Sequence, residues 1–446
     1  MCESVLHRIE KGAKVGFFGL GKSNLSLLSN LTLDKCRITL RSDKPIRREN
    51  ISRGERIERI FDSSHACDII DEDILVFSPS VRRERPQLEV ARQHGVIFTC
   101  DLDLFLEKNE KPLFAVSGSD GKSTTATLAN LLLGSSLLIG NIGTPMTASL
   151  GKECSAYVAE ISSFMLEYTN VPAHRACITN ITKNHLDWHR SFEEYIEAKL
   201  SLLRAAQECV INADDEICAE FAKKNGAFGI VSEKQTFGEL KDTAKVILTR
   251  SERGILKNGE LLVPYSDIRC KESHNIKNLM MAIALTDRHT NEERICEVAS
   301  SFSGLPHRCE KFLEKDGIEY INSSIDSSPA RTVATLRSLN KRVILLLGGR
   351  SKGLDYGELC NTVREYAERA LIFGESREEI YSAIKNSTKC ELLDNIEEAA
   401  ERALELSMSA EAVILSPAST SYDAFSSFEE RGNYFKKMIL NSINRT

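Results

Sequence analysis

The 446-residue sequence has no excess of basic charge, no CxxC pair and no long apolar run. Each absence closes off a class of function. With 58 Lys and Arg against 64 Asp and Glu, the net charge of −6 gives no electrostatic footprint for nucleic acid. The 13 cysteines are odd in number and scattered, so neither a zinc knuckle nor a disulfide framework is indicated. Scattered free thiols fit a reducing compartment. No stretch approaches the roughly 18 apolar residues of a membrane span, and the start MCESVLHRIEKGAK is too charged for a signal-peptide core. A cytoplasmic chain with neither membrane nor nucleic acid as partner is expected.

What is present is alternation. Short apolar runs rich in β-branched residues alternate with helical patterns almost throughout, the signature of α/β layers with parallel strands. Three groups separate. Residues 1–109 contain KVGFFGLG, RITLRSD and DILVFSPS, and the charged, proline-marked EKNEKP (Glu107 to Pro112) follows as a linker. Residues 110–304 contain PLFAVSG, AYVAEISS, RACITNIT and ECVINADD, and end where GLPHRCE breaks the periodicity. Residues 305–446 contain RVILLLGGRSKG, RALIFGES and EAVILSPAST. Three open parallel sheets are expected, with ligands held beyond the carboxyl ends of their strands.

The stretch AVSGSDGKSTTA is nearly a phosphate-binding P-loop. The long form wants glycine, four residues, then Gly-Lys-Ser/Thr, yet the position five before Gly121 is Val116 and Gly118 stands two places late. Between a buried strand and a helix, Ser119, Asp120 and Gly121 can still wrap a phosphate with backbone N–H groups. Lys122 would neutralise the outer phosphates and Ser123 would reach a Mg²⁺. Glu160 ends the strand AYVAE, where it either supplies a second Mg²⁺ ligand or caps the next turn. His185 and His189 have the spacing of helical metal ligands but no third partner, so His189 reads as structural. Lys199 falls on the apolar face formed by Phe192, Tyr195, Ile196, Leu202, Leu203 and Ala206. A lone buried ammonium is costly, so this lysine must snorkel, find a partner or change chemically. In FGLGKSN, Gly19 and Gly21 fit a dinucleotide fingerprint, but Asn24 replaces its third glycine. Such a loop can hold a diphosphate while making a poor NAD site.

Together these pieces resemble the Mur ligase family, ATP-dependent enzymes that add amino acids to the peptidoglycan precursor. That family's loop has the short form G-[ST]-[ND]-G-K-[ST]-[ST], and GSDGKST (Gly118 to Thr124) matches every position. GNIGTP, EISSF, NHLDWH, EAKLSLL, HNIKN, GLPHR, GGRSKG and LSPASTSYDAFSSFEERG continue the likeness in family order along nearly the whole chain. The resemblance implies a Rossmann-like first domain for a UDP-sugar and a central ATP-binding domain of P-loop type with a mostly parallel sheet. It also implies a Rossmann-like last domain for the incoming amino acid. Phe164 after Ser162 and Ser163, with the long ending, resembles the glutamate-adding branch. That implies UDP-N-acetylmuramoyl-L-alanine as acceptor, D-glutamate as incoming amine, and a monomer.

Carried across by resemblance, Gly118, Ser119, Asp120, Gly121, Lys122, Ser123 and Thr124 would hold ATP. Asn278 would contact adenine and Arg308 the γ-phosphate. Ser123 and Glu160 would hold one Mg²⁺, while His185 and a carbamylated Lys199 would serve a second. Gly19, Leu20, Gly21, Lys22 and Ser23 would cradle the UDP diphosphate, and Asn141 would lie along the acceptor. Lys352, Ser421 and Phe428 would grip the glutamate. One segment departs: where N-D-S-K-A-T is common, this chain has Asn322, Ser323, Ser324, Ile325, Asp326 and Ser327. Asp326 is the candidate replacement for the acidic nucleotide contact. Competing readings are a folylpolyglutamate synthetase-like ligase, a relative adding L-glutamate, a nicotinamide-dependent oxidoreductase, and a nucleotide-binding regulator without turnover.

Overall fold

The computed structural model describes residues 4–46, 51, 56–185, 188–351 and 353–443. Within them, three sheets follow one another along the chain. The first is all parallel, in the order β3-β2-β1-β4-β5, from β1 (Lys14–Phe18), β2 (Arg37–Ser42), β3 (Ile57–Asp62), β4 (Ile74–Phe77) and β5 (Ile97–Cys100). Strand order reverses between β1 and β4, the point at which open parallel sheets hold ligands beyond the carboxyl ends of their strands.

The second sheet comprises β6 (Leu113–Ser117), β7 (Leu137–Gly140), β8 (Tyr157–Glu160), β9 (Arg175–Ile178), β10 (Glu208–Asn212), β11 (Gly229–Ser232), β12 (Val246–Ser251), β13 (Gly254–Lys257) and β14 (Glu260–Pro264). Its order is β14-β13-β12-β11-β10-β9-β6-β8-β7. β6 lies between β8 and β9, both parallel to it, with Val116 beside Glu160 and Ser117 beside Ile178. All five β6 residues are buried, as a strand covered on both faces requires. Tyr195, Leu202 and Leu203 of the Phe192–Ala205 helix pack with Leu113 and Ala115 on one face. The Lys122–Leu133 and Ser273–Thr286 helices pack with Phe114 and Val116 on the other. The sheet is mostly parallel, as expected, and at one edge β12, β13 and β14 form an antiparallel meander. Short turns join these strands, with Asn258 (φ 51°) in the second, so no crossover helix is needed.

The third sheet has the order β15-β16-β20-β17-β18-β19, from β15 (Glu310–Lys315), β16 (Ile318–Asn322), β17 (Val343–Gly348), β18 (Ala367–Phe373), β19 (Lys389–Leu392) and β20 (Ala412–Leu415). It too is parallel except for one edge, where β15 runs antiparallel to β16. By packing, the chain forms two compact units, Met1–Phe302 and Ser303–Thr446. The first contains two sheets, and one of its cores takes in Cys100 of β5 together with strands of the second sheet. Among the described residues no helix is long and apolar enough to cross a membrane.

Candidate functional site

The phosphate loop leaves β6 at Gly118 and enters the Lys122–Leu133 helix, whose N-cap is Gly121. Both glycines are required. Gly118 (φ 141°) and Gly121 (φ 78°) adopt left-handed backbone, and a Cβ at either would strike Thr179 or Asn278. The N–H groups of Lys122, Ser123 and Thr124 have no helical carbonyl behind them, so this end of the helix favours an anion. Ser119 and Asp120 precede this helix in the loop. Their N–H groups donate to Asn180, to its main-chain oxygen at 2.8 Å and its Oδ1 at 2.9 Å respectively. Thr179 Oγ1 also donates to Asp120 O at 2.5 Å. These bonds hold the loop in shape. Asn180 escaped sequence reasoning because the pairing of β9 with β6, which brings it there, is a long-range event.

Two lysines close on adjacent carbonyls of this loop. Lys122 Nζ donates to Ser119 O at 2.7 Å, and Lys199 Nζ to Gly118 O at 2.7 Å. Lys199 does not snorkel; it is 2% exposed and lies 4.7 Å from the Tyr195 ring centroid. Burial, with the Lys122 charge adding to it, pushes its amine well below the ordinary lysine range. Its helix starts where expected, at Phe192, because the Ser191 side chain accepts from Glu194 N and two glutamates occupy the first turn.

Glu160 ends β8 next to the loop and is 1% exposed. Its Oε1 accepts from Asn141 Nδ2 at 2.7 Å, while its Oε2 is buried with no hydrogen-bond partner. An orphaned carboxylate oxygen in a dry site is costly, and a hard cation would satisfy it. Ser123 is buried at the helix start. Oxygen donors of these two kinds fit Mg²⁺. Among the described residues no group of three His, Cys, Asp or Glu makes a metal site by itself.

Neither His185 nor His189 lies in a helix. His185 has φ 53° and is exposed, with its ring 5.0 Å from that of Phe164. His189 is buried, its Nε2 3.0 Å from Ser163 Oγ, which is the structural role expected of it. Asn278 sits against Gly121 and accepts from Thr125 Oγ1 at 3.3 Å.

In the first sheet, Gly19 to Ser23 run from the end of β1 into the Lys22–Asn30 helix. Asn24 is fully buried and its Nδ2 donates to Gly19 O (2.8 Å), Val76 O (3.1 Å) and Phe18 O (3.2 Å), so it staples the glycine turn to β1 and β4. A glycine there, as in the dinucleotide fingerprint, would leave those carbonyls unstapled. Leu20 packs on the adjoining core. Lys22 Nζ donates to Gly143 O at 3.0 Å, and Arg82 donates to Trp188 O at 2.7 Å, so loops of the first sheet rest on loops of the second.

The second unit has its own loop cluster. Arg431 is 1% exposed and donates to Ser324 Oγ, Ser324 O, Gly348 O and Ser419 O, joining the loops after β16, β17 and β20. Ser421 is buried beside this cluster, Arg308 is exposed, and the Phe428 ring lies 6.0 Å from that of His307. Lys352 falls outside the described residues. Asp326 does not offer the acidic contact expected of it. It is 5% exposed, its Oδ2 accepts from Ser416 Oγ (2.7 Å) and Thr335 Oγ1 (2.8 Å), and burial raises its carboxyl above the usual range.

A short anion loop at a helix start, flanked by an orphaned carboxylate and a buried lysine, defines an α/β nucleotide-binding protein of P-loop type. Comparison narrows this. The family model described as Mur ligase middle domain matches residues 116–286, and that described as Mur ligase, glutamate ligase domain matches residues 307–419. A protein of Ruminiclostridium cellulolyticum named UDP-N-acetylmuramoylalanine–D-glutamate ligase is 32% identical, over 97% of each chain. One of the same name from Clostridium botulinum is 32% identical over 96% of this chain and 97% of its own. The chain belongs to the Mur ligase family.

Solved structures agree in fold. The UDP-N-acetylmuramate–alanine ligase of Thermotoga maritima matches with a TM-score of 0.58 at 18% identity, covering 97% of this chain and 99% of its own. An Acinetobacter baumannii D-alanyl-D-alanyl ligase acting on a UDP-muramoyl tripeptide, by its name, matches with 0.51 at 16%, covering 97% and 92%.

Proposed function

We propose that this chain is an ATP-dependent ligase that joins D-glutamate to UDP-N-acetylmuramoyl-L-alanine in peptidoglycan precursor synthesis. The observation that carries the reading is its full-length match to relatives named for that activity. The site's chemistry supports it independently.

The acceptor carboxylate would attack the γ-phosphorus of ATP, releasing ADP and leaving an acyl phosphate. The glutamate amine would then attack the acyl carbon, lose a proton and expel phosphate, giving the amide. The loop's role is positioning and charge stabilisation. Lys122 would leave Ser119 O for the phosphates, while the helix-end N–H groups of Lys122 to Thr124 bind their oxygens. Mg²⁺, when bound, would neutralise charge on the transferring phosphoryl group. Ser123 and the free Oε2 of Glu160 would hold it, with Asn141 fixing the other Glu160 oxygen. Lys199, its amine held well below the ordinary lysine range by burial, would take up CO₂ as a carbamate with loss of a proton and, with His185, serve a second ion.

Gly19 to Ser23 would cradle the acceptor's diphosphate, with Asn141 along its chain. Ser421, Phe428 and Lys352 would receive the glutamate, Asn278 the adenine and Arg308 the γ-phosphate. We also infer a division into residues 1–109, 110–304 and 305–446 by these three ligands. The deciding experiment measures phosphate release from ATP with the UDP-muramoyl-alanine acceptor and each amino acid in turn. D-Glutamate is expected to support turnover; release with L-lysine or diaminopimelate instead would overturn the substrate.

A further inference from the structure

We infer that Tyr195 is a positioning residue for the phosphate loop: its hydroxyl fixes Ser119 from behind, and its ring joins that loop to the helix carrying Lys199. The inference rests on the ATP-dependent reading above and adds a residue to it.

The side chain of Tyr195 is fully buried, and its hydroxyl lies 2.7 Å from Ser119 Oγ. The direction of that bond follows from its neighbours. Ser119 gives its own hydrogen to Thr182 O at 3.1 Å and accepts from Thr182 N at 2.9 Å. Tyr195 is therefore the donor. Burial raises its phenol above the ordinary value, with the Ser119 bond opposing and the Asp120 charge assisting, so the donor hydrogen persists throughout the working pH range.

The hydroxyl is not needed to fill space. A phenylalanine would occupy nearly the same volume in this interior without bringing a polar atom into it. What the hydroxyl adds is a hold on the one loop residue whose N–H and Oγ are both turned away from an incoming anion. The ring does the rest. It lies 4.7 Å from Lys199 Nζ and 5.3 Å from the His189 ring. Tyr195 stands four residues, one helical turn, before Lys199, so the two side chains rise from the same helix face. Any shift of the loop is thereby felt at the lysine.

The test is calorimetric titration of the full chain with ATP, for wild type, Tyr195→Phe, Ser119→Ala and the double variant, beside steady-state kinetics. Loss of one such bond predicts an ATP Kd raised about fivefold in Tyr195→Phe, with the unfolding midpoint near wild type. Ser119→Ala should weaken ATP at least as much. The double variant should be within about twofold of Ser119→Ala, because both changes remove the same bond. The KM for ATP should rise while kcat and the acceptor KM hold. An unchanged ATP Kd in Tyr195→Phe would overturn the inference. So would losses that multiply in the double variant, or equal rises in both KM values. A chain that shows the expected ATP pattern yet ligates no amino acid would sink the ligase reading and leave this brace standing.

Discussion

Lys199 and Glu160 share one physical condition: each places a charge, or a group that ought to carry one, in a nearly dry interior. Lys199 meets that condition with an amine that burial, and next the Lys122 charge, holds well below the ordinary lysine range. Lys199→Ala should remove almost all ligation, yet hold or raise the unfolding midpoint, because the desolvation cost of a buried amine is relieved. Near-normal turnover in that variant would dismiss the carbamate. With Lys122 proposed to face the transferring phosphoryl group, Lys122→Ala should lower kcat/KM by about a thousandfold. Glu160→Gln keeps an acceptor for Asn141 but loses the negative charge, so the Mg²⁺ concentration for half-maximal activity should climb steeply while thermal stability stays put. Equal Mg²⁺ dependence in the two proteins would remove Glu160 from the metal site.

In the last sheet the carboxyl ends of β16, β17 and β20 are tied by one buried side chain. Arg431 serves three loops, and although burial lowers its guanidinium to about 10, it remains charged at neutral pH. Arg431→Ala would strand several carbonyls without donors and should cost about 3 kcal/mol, read by urea unfolding of the second unit. His307 adds a pH dependence. Its Nδ1 lies 2.9 Å from Asn322 Nδ2, an amide donor, so the ring must be unprotonated there. Burial keeps His307 below its ordinary value of 6.5, with the Lys436 charge adding and those of Glu310 and Glu429 opposing. Between the folded value and 6.5 the unfolded chain binds more protons, so stability rises with pH across that window. Acidification below 6.5 should loosen this unit, and His307→Gln should flatten the slope in unfolding curves taken at several pH values.

On the scale of the molecule, Met1–Phe302 and Ser303–Thr446 each enclose their own apolar cores. Scanning calorimetry of the full chain should resolve two transitions. ATP at a hundred times its Kd should stabilise the one belonging to residues 1–302 by about 2.7 kcal/mol. If ATP moved only the other transition, the loop at Gly118 would not be the nucleotide site.

Local chemistry made much of this protein readable in one dimension. Strands such as RVILLLG are apolar without interruption because both faces are covered, and the SDGKS turn needs its glycine whatever surrounds it. The helix from Phe192 declares itself through its serine cap and apolar face. Strand partners are another matter. That Glu160 and Asn180 flank the same loop depends on β6 lying between β8 and β9, a pairing settled by burial across distant segments. The antiparallel edges and the inward turn of Asp326 are decisions of the same kind. Sequence chose the residue types and their backbone shapes; packing alone chose which polar atom is satisfied by a neighbour and which, like Glu160 Oε2, is left for a ligand.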